Sequence, residues 1–171
     1  YDPTKKLMTY VSFCAGVATP KFCLIQSSYE IKNTIQSLQF PLFVKPAKAG
    51  DSLGIDEFSL VQNEIQLQKK VAAIIDEYNE ILVEEYIAGR EFTVLVAANA
   101  DGKTCTTFKP VEFIFLETNT FKTYSLKTSD LHTDANVPVN DVELDNTLRT
   151  AAASIFTAFN GEGYARLDFR M

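Results

Sequence analysis

Two short apolar segments that each end in charge, Pro41-Leu42-Phe43-Val44-Lys45-Pro46 and Ile81-Leu82-Val83-Glu84-Glu85-Tyr86-Ile87, bracket a long helical pattern. Nothing else in the chain restricts its fold as much. Both runs are short and rich in branched and aromatic residues, so they read as strands. Between them, from about Asn63 to Glu77, Leu67, Val71, Ile74 and Tyr78 recur at helical spacing and form one apolar stripe. Strands and helices therefore alternate along this part of the chain.

The remaining segments extend that alternation. Asp2 and Pro3 suit a helix start, and Leu7, Val11 and Cys14 lie on one face before Gly16 stops it. Thr19-Pro20 leads to a strand from Phe22 to Ile25. Ser27 and Glu30 have capping-box spacing, and Ile31, Ile35 and Leu38 predict a second helix ending near Gln39. Glu91 to Ala98 reads as a strand, followed by a turn over Asn99 to Gly102 and by β or extended chain over Lys103 to Lys127. The last helix starts at Asn140, buries Leu144, Leu148, Ala152, Ile155 and Phe159, and ends at Gly161. A final strand covers Tyr164 to Phe169. It runs almost to the last residue, as the first helix begins almost at the first, so the expectation is a piece of a longer protein.

Composition removes several function classes. The 171 residues carry a net charge of -6, which provides no electrostatic footprint for nucleic acid or for an anionic membrane. No run approaches the roughly 18 apolar residues of a membrane span. Cys14, Cys23 and Cys105 have neither paired nor zinc-type spacing; they fit reduced thiols, small core hydrophobes of a cytoplasmic protein.

The chemistry concentrates at the two bracketing strands. Lys45, on a rigid strand, presents an ammonium beside the loop Gly50-Asp51-Ser52-Leu53-Gly54, whose glycines let backbone N–H groups approach phosphate oxygens. Glu84 lies 39 residues further on, near another strand end. A cation beside a flexible loop can hold phosphates, and a carboxylate can hold an adenine or ribose, so the pair points to ATP. A lysine that ends a strand is ordinarily a solvated edge residue. Glu84 and Glu85 could equally form a solvated face, and strand alternation lets only one of them face a cleft. Arg166 and Asp168, two apart on a strand, share a face. They could serve a site or simply pair with each other.

Five blocks, in order, resemble an ATP-grasp ligase, and within that superfamily the D-alanine-D-alanine ligase family. They are Asp2 to Pro20; Val44-Lys45-Pro46 with Gly50 to Gly54; Val83 to Ile87 with Gly89-Arg90-Glu91-Phe92-Thr93-Val94; Phe121 to Lys127; and Gly163-Tyr164-Ala165-Arg166-Leu167-Asp168-Phe169. The resemblance implies the α+β class and, within it, an ATP-grasp fold fragment with a small antiparallel-sheet subdomain. Residues 1–20 would be its entry helix and turn, 21–95 its small subdomain and 96–171 the start of its C-terminal subdomain.

The resemblance also implies roles. Lys45, Ser52 and Lys127 would bind phosphates, Glu84 and the Ile87 backbone the adenine edge, and Glu91 the ribose hydroxyls. Lys5 is a further phosphate candidate, though it could equally belong to a solvated helix face. Asp168 would be a Mg²⁺ ligand, and Arg166 would stabilise the oxyanion of a tetrahedral intermediate. The implied reaction activates a carboxylate as an acyl phosphate and passes it to an amine, with amino acids as substrates and a homodimer open for the intact protein. Two positions depart from the family pattern: Asp51 stands where a small hydroxyl residue is usual, and Thr128 where a tyrosine is usual. They keep open a catalytically degenerate domain with a structural or interaction role. One carboxylate rarely makes a usable Mg²⁺ site, so these residues alone are expected to bind nucleotide weakly and not to ligate.

Overall fold

The computed structural model describes residues 11–50, 52–114 and 136–171. Contacts divide them into two compact units: 20–50 with 52–87, and 11–19 with 88–114 and 136–171.

In the first unit, strands β1 (Phe22–Ile25), β2 (Leu42–Pro46), β3 (Leu60–Val61) and β4 (Ile81–Glu85) form an antiparallel sheet in the order β1-β4-β2-β3. The long predicted helix is α2, Glu64–Tyr78. Asn63 caps it by accepting from the Gln66 N–H at 3.0 Å, and the Gln66 side chain accepts from the Gln62 N–H at 2.7 Å. Reciprocal bonds of this kind satisfy two donors that a helix start leaves open. The stripe behaves as its spacing requires: Leu67, Val71 and Ile74 are buried with Leu42, Val44, Ile81 and Val83, and Tyr78 packs against them. Each fully buried aliphatic side chain contributes about 1.5–3 kcal/mol.

The segment between β1 and β2 differs from the expectation. A 3-10 turn, Ser28–Glu30, leads into a single helical turn, α1 (Ile31–Thr34), and regular helix stops well short of Gln39. A tight turn, with the Leu38 N–H donating to the Ile35 carbonyl at 2.9 Å, brings both Ile31 and Leu38 into the core. The capping box is displaced by one residue as well. Ser27 accepts from the Tyr29 N–H, and Glu30 from the Gln26 N–H.

The second unit is organised about β5 (Glu91–Ala98). Strand β9 (Tyr164–Arg170) runs antiparallel along one edge, with Glu91 opposite Arg170 and Ala97 opposite Tyr164. The other edge is shared by β6 (Cys105–Thr107) and β7 (Val111–Phe113), and β7 pairs in turn with β8 (Asn136–Pro138). Helix α3 (Val142–Ala158) covers the buried face, where Phe92, Val94 and Val96 meet Leu148, Ala152 and Phe156. Its cap is Asp141, which accepts from the Leu144 N–H, and not Asn140. Phe156 takes the core place expected for Phe159, which sits at the C-cap where the helical spacing ends. Arg149 anchors the helix to β6 by donating to the Thr107 carbonyl.

Residues 11–14 are helical, in line with the first expected helix, whose earlier part lies outside the described residues. Cys14 there is exposed, contrary to its reading as a core residue, whereas Cys23 and Cys105 pack against the two cores. Burial pushes the Cys23 thiol up to about 11. No helix among the described residues is long and apolar enough to cross a membrane.

Candidate functional site

In the first unit, strand alternation sends Leu42, Val44, Ile81 and Val83 toward α2 and leaves Phe43, Lys45, Leu82 and Glu84 on the opposite face. Phe43 pairs with Glu84, and Lys45 with Leu82, so Lys45 and Glu84 are diagonal neighbours across two strands. The Lys45 ammonium donates to a Glu84 carboxylate oxygen. Both side chains are largely shielded, with 20% and 15% of their surfaces exposed. Lys45 therefore ends as an internal ion pair and not as a solvated edge residue. The Phe43 ring lies 5.8 Å from the Lys45 ammonium and stacks on Tyr86 with centroids 6.3 Å apart. Glu85 faces away, as alternation demands, and accepts from the Gln39 N–H at 3.0 Å. Ile87, just beyond β4, is exposed.

A cation and a carboxylate held side by side next to aromatic rings can receive a planar ligand that presents an acceptor beside a donor. Residue-by-residue reading assigned Lys45 and Glu84 to opposite ends of a ligand. Their contact could not be seen in it, because the pairing of β2 with β4 sets it. Phe43 and Tyr86 were overlooked for the same reason.

The loop after β2 is tightly held. Ser52 has φ 60°, a left-handed conformation uncommon for a residue with a Cβ, and its carbonyl accepts from the Ile55 N–H at 3.0 Å. Gly54 has a packing reason of its own. At φ 72° a Cβ there would approach the Pro46 ring to 2.5 Å. Gly50, by contrast, borders open space. Asp51 lies outside the described residues.

Sequence reading also passed over Lys70. Only 4% of this residue is exposed, and its ammonium donates to the Gly54 carbonyl at 3.0 Å and to the Asp56 carboxylate at 2.8 Å. Its position three residues after Leu67 and four before Ile74 places it beside the apolar stripe, and that spacing was the available signal.

In the second unit, Glu91, Thr93, Leu95 and Ala97 of β5 point away from α3, together with their partners Arg170, Asp168, Arg166 and Tyr164 of β9. Three residues singled out from sequence, Glu91, Arg166 and Asp168, thus share one sheet face. Thr93 donates its hydroxyl to Asp168 at 2.7 Å, and the Arg166 guanidinium stands 3.7 Å from the same carboxylate oxygen. Arg166 and Asp168 are 60% and 57% exposed. Arg90, next to Glu91, donates twice to Glu112, at 2.7 and 2.6 Å, and this hydrogen bonding holds the Glu112 carboxyl below its usual range.

Among the described residues no group of three or more His, Cys, Asp or Glu could hold a metal ion. Asp168 offers one carboxylate, already engaged by Thr93 and facing the Arg166 cation. The described residues therefore do not fit Mg²⁺ by themselves. Lys5 and Lys127 lie outside the described residues.

The family model described as D-ala D-ala ligase C-terminus matches residues 13–171. A D-alanine--D-alanine ligase of Syntrophotalea carbinolica is 32% identical over 97% of this chain and 49% of its own length. One from Streptococcus thermophilus is 32% identical over 81% of this chain and 38% of its own length. This chain thus spans half or less of these relatives. Among solved structures, the VanG D-Ala:D-Ser ligase of Enterococcus faecalis superposes with a TM-score of 0.76 at 21% identity, over 98% of this chain and 48% of that one. The D-alanine--D-alanine ligase of Bacillus anthracis complexed with ATP gives 0.71 at 18% identity, over 98% and 50%. The two antiparallel sheets, each with one helix-packed face, are those of an ATP-grasp fragment, and the chain belongs to the D-alanine-D-alanine ligase C-terminal family.

Proposed function

We propose that the chain is the nucleotide-holding part of an ATP-dependent carboxylate–amine ligase that works through an acyl phosphate. The observation that carries this reading is the shielded Lys45–Glu84 pair beside Phe43 and Tyr86. Adenine carries an acceptor, N7, next to a donor, the N6 amino group. Lys45 donates to the first while Glu84 accepts from the second, and the other ammonium protons remain available to phosphate oxygens. Guanine presents a carbonyl oxygen where adenine has its amino group, and the Glu84 carboxylate would repel it. The Ile87 backbone and Ser52 extend the same contacts, and a relative of the same fold is complexed with ATP.

For the second unit we assign ribose recognition to Glu91 and oxyanion stabilisation to Arg166, whose exposed guanidinium is free of dense packing. Asp168 would supply one oxygen to Mg²⁺, and the remaining oxygens must come from elsewhere. Lys127 and Lys5 keep the phosphate roles that the family resemblance implies. The proposed substrates are amino acids; proteins of the same fold ligate D-Ala to D-Ala or to D-Ser.

Calorimetry with MgATP tests the reading. Lys45→Met is expected to weaken binding about tenfold or more, and Glu84→Gln to narrow the preference for ATP over GTP by a similar factor. Equal affinity of wild type and Lys45→Met would refute the phosphate and N7 roles of Lys45.

A further inference from the structure

We propose that Lys70 is a positioning residue for the loop that carries Ser52, and that it governs affinity for the phosphate part of the nucleotide; this rests on the nucleotide reading above. The loop leaves β2 at Pro46 and returns at β3, and its described residues form no helix or strand. Three attachments hold it. Gly54 sits against the Pro46 ring at a distance that leaves no room for a Cβ. The Val44 N–H donates to the carbonyl of the fully buried Ser59 at 2.8 Å, which ties the return of the loop to β2. Lys70 supplies the third, through hydrogen bonds from the helix to the Gly54 carbonyl and the Asp56 carboxylate.

Its geometry explains why a lysine is used. One ammonium proton goes to the Gly54 carbonyl, two residues from Ser52, and another to Asp56. The Asp56 carboxylate also accepts from the Phe58 N–H at 3.0 Å and from the Ser59 hydroxyl. A single buried cation thereby joins both halves of the loop to the rigid helix α2. A carbonyl bonded to an ammonium cannot rotate freely, and the peptide planes from Ser52 to Gly54 lose freedom with it. An anion-binding loop fixed beforehand avoids the entropy cost of ordering its N–H groups when the phosphates arrive. Lys70 touches no ligand in this scheme. Its effect passes through Gly54.

The test compares ATP with adenosine on the full-length protein carrying this chain, as wild type, Lys70→Met and Asp56→Asn. Lys70→Met keeps the side-chain volume and removes the charge. The expected result is a loss of about tenfold in ATP affinity with adenosine affinity unchanged, together with faster hydrogen exchange at the Leu53 and Ile55 amides and unchanged exchange in β4. Asp56→Asn should shift the same readouts in the same direction by less. Equal losses for ATP and adenosine would make Lys70 merely structural and overturn the inference, and so would unchanged ATP affinity. Wild-type protein that binds ATP no more tightly than adenosine would overturn the phosphate-loop reading itself and this inference with it. Where Lys70→Met fails to fold, the Asp56→Asn comparison decides by the same criteria.

Discussion

The two sheets are built alike and their ion pairs are not. Each sheet buries one face under a helix and turns charged residues to the other. In the first unit the pair is Lys45–Glu84, at most one-fifth exposed; in the second it is Arg166–Asp168, more than half exposed and 3.7 Å apart. The first pair spans two strands and is enclosed by Phe43 and Leu82; the second consists of neighbours on one strand and stands in water. Removing one partner of an enclosed pair leaves a charge without solvent, whereas a solvated pair is screened. The first pair is therefore part of the folded structure, and in the function proposed above it also recognises the nucleotide. The second contributes little to stability, which is compatible with the chemical role proposed for it.

Substitutions can break that contrast at several strengths. The largest expected effect is Gly54→Ala beside the first pair, which combines a left-handed φ with a 2.5 Å overlap on Pro46. It should destabilise the protein by about 3 kcal/mol in urea unfolding. Glu84→Ala should cost about 2 kcal/mol, less than a fully buried pair because some solvent reaches it. Arg166→Ala, the matching change in the second unit, should cost about 0.5 kcal/mol or less while removing ligase turnover in the intact protein. If Arg166→Ala destabilises as much as Glu84→Ala, the distinction between the two faces is wrong.

Two titrations sharpen the same comparison. The Arg90 hydrogen bonds lower the Glu112 pKa in the folded state. A depressed carboxyl contributes stability above its unfolded value, and that contribution disappears as pH falls through the folded value. Arg90→Ala should therefore shrink the loss of stability on acidification below about pH 4, followed by urea midpoints across that range. The smallest effect is a rate. With its thiol pushed up to about 11, Cys23 should resist iodoacetamide at pH 8, where about one thousandth is thiolate, while exposed Cys14 is alkylated. Peptide mass spectrometry reads the difference.

Some elements were legible without coordinates because their signals are local. The α2 stripe, its start at Asn63, the β5 limits and the turn after Asn99 all follow from side-chain period and capping chemistry. Competing local signals produced the misses. Asn140 and Asp141 are both residue types that cap helices, and in the structure Asp141 does so by accepting from the Leu144 N–H. The segment after Ile31 has helical spacing, yet regular helix stops at Thr34 and a tight turn, not a further helical turn, carries Leu38 into the core.

The sequence by itself determined the strands and helices of each segment, the family through five motif blocks in order, and that only one of Glu84 and Glu85 could face a cleft, because motifs, alternation and periodicity are properties of one stretch of chain at a time. Tertiary structure alone decided that Lys45 touches Glu84, that Thr93 holds Asp168, and that Lys70 reaches back 16 residues to Gly54. Those contacts depend on which strands pair, in what register, and which helix face lies over them. Pairing and register minimise the free energy of the whole unit, so no local pattern encodes them.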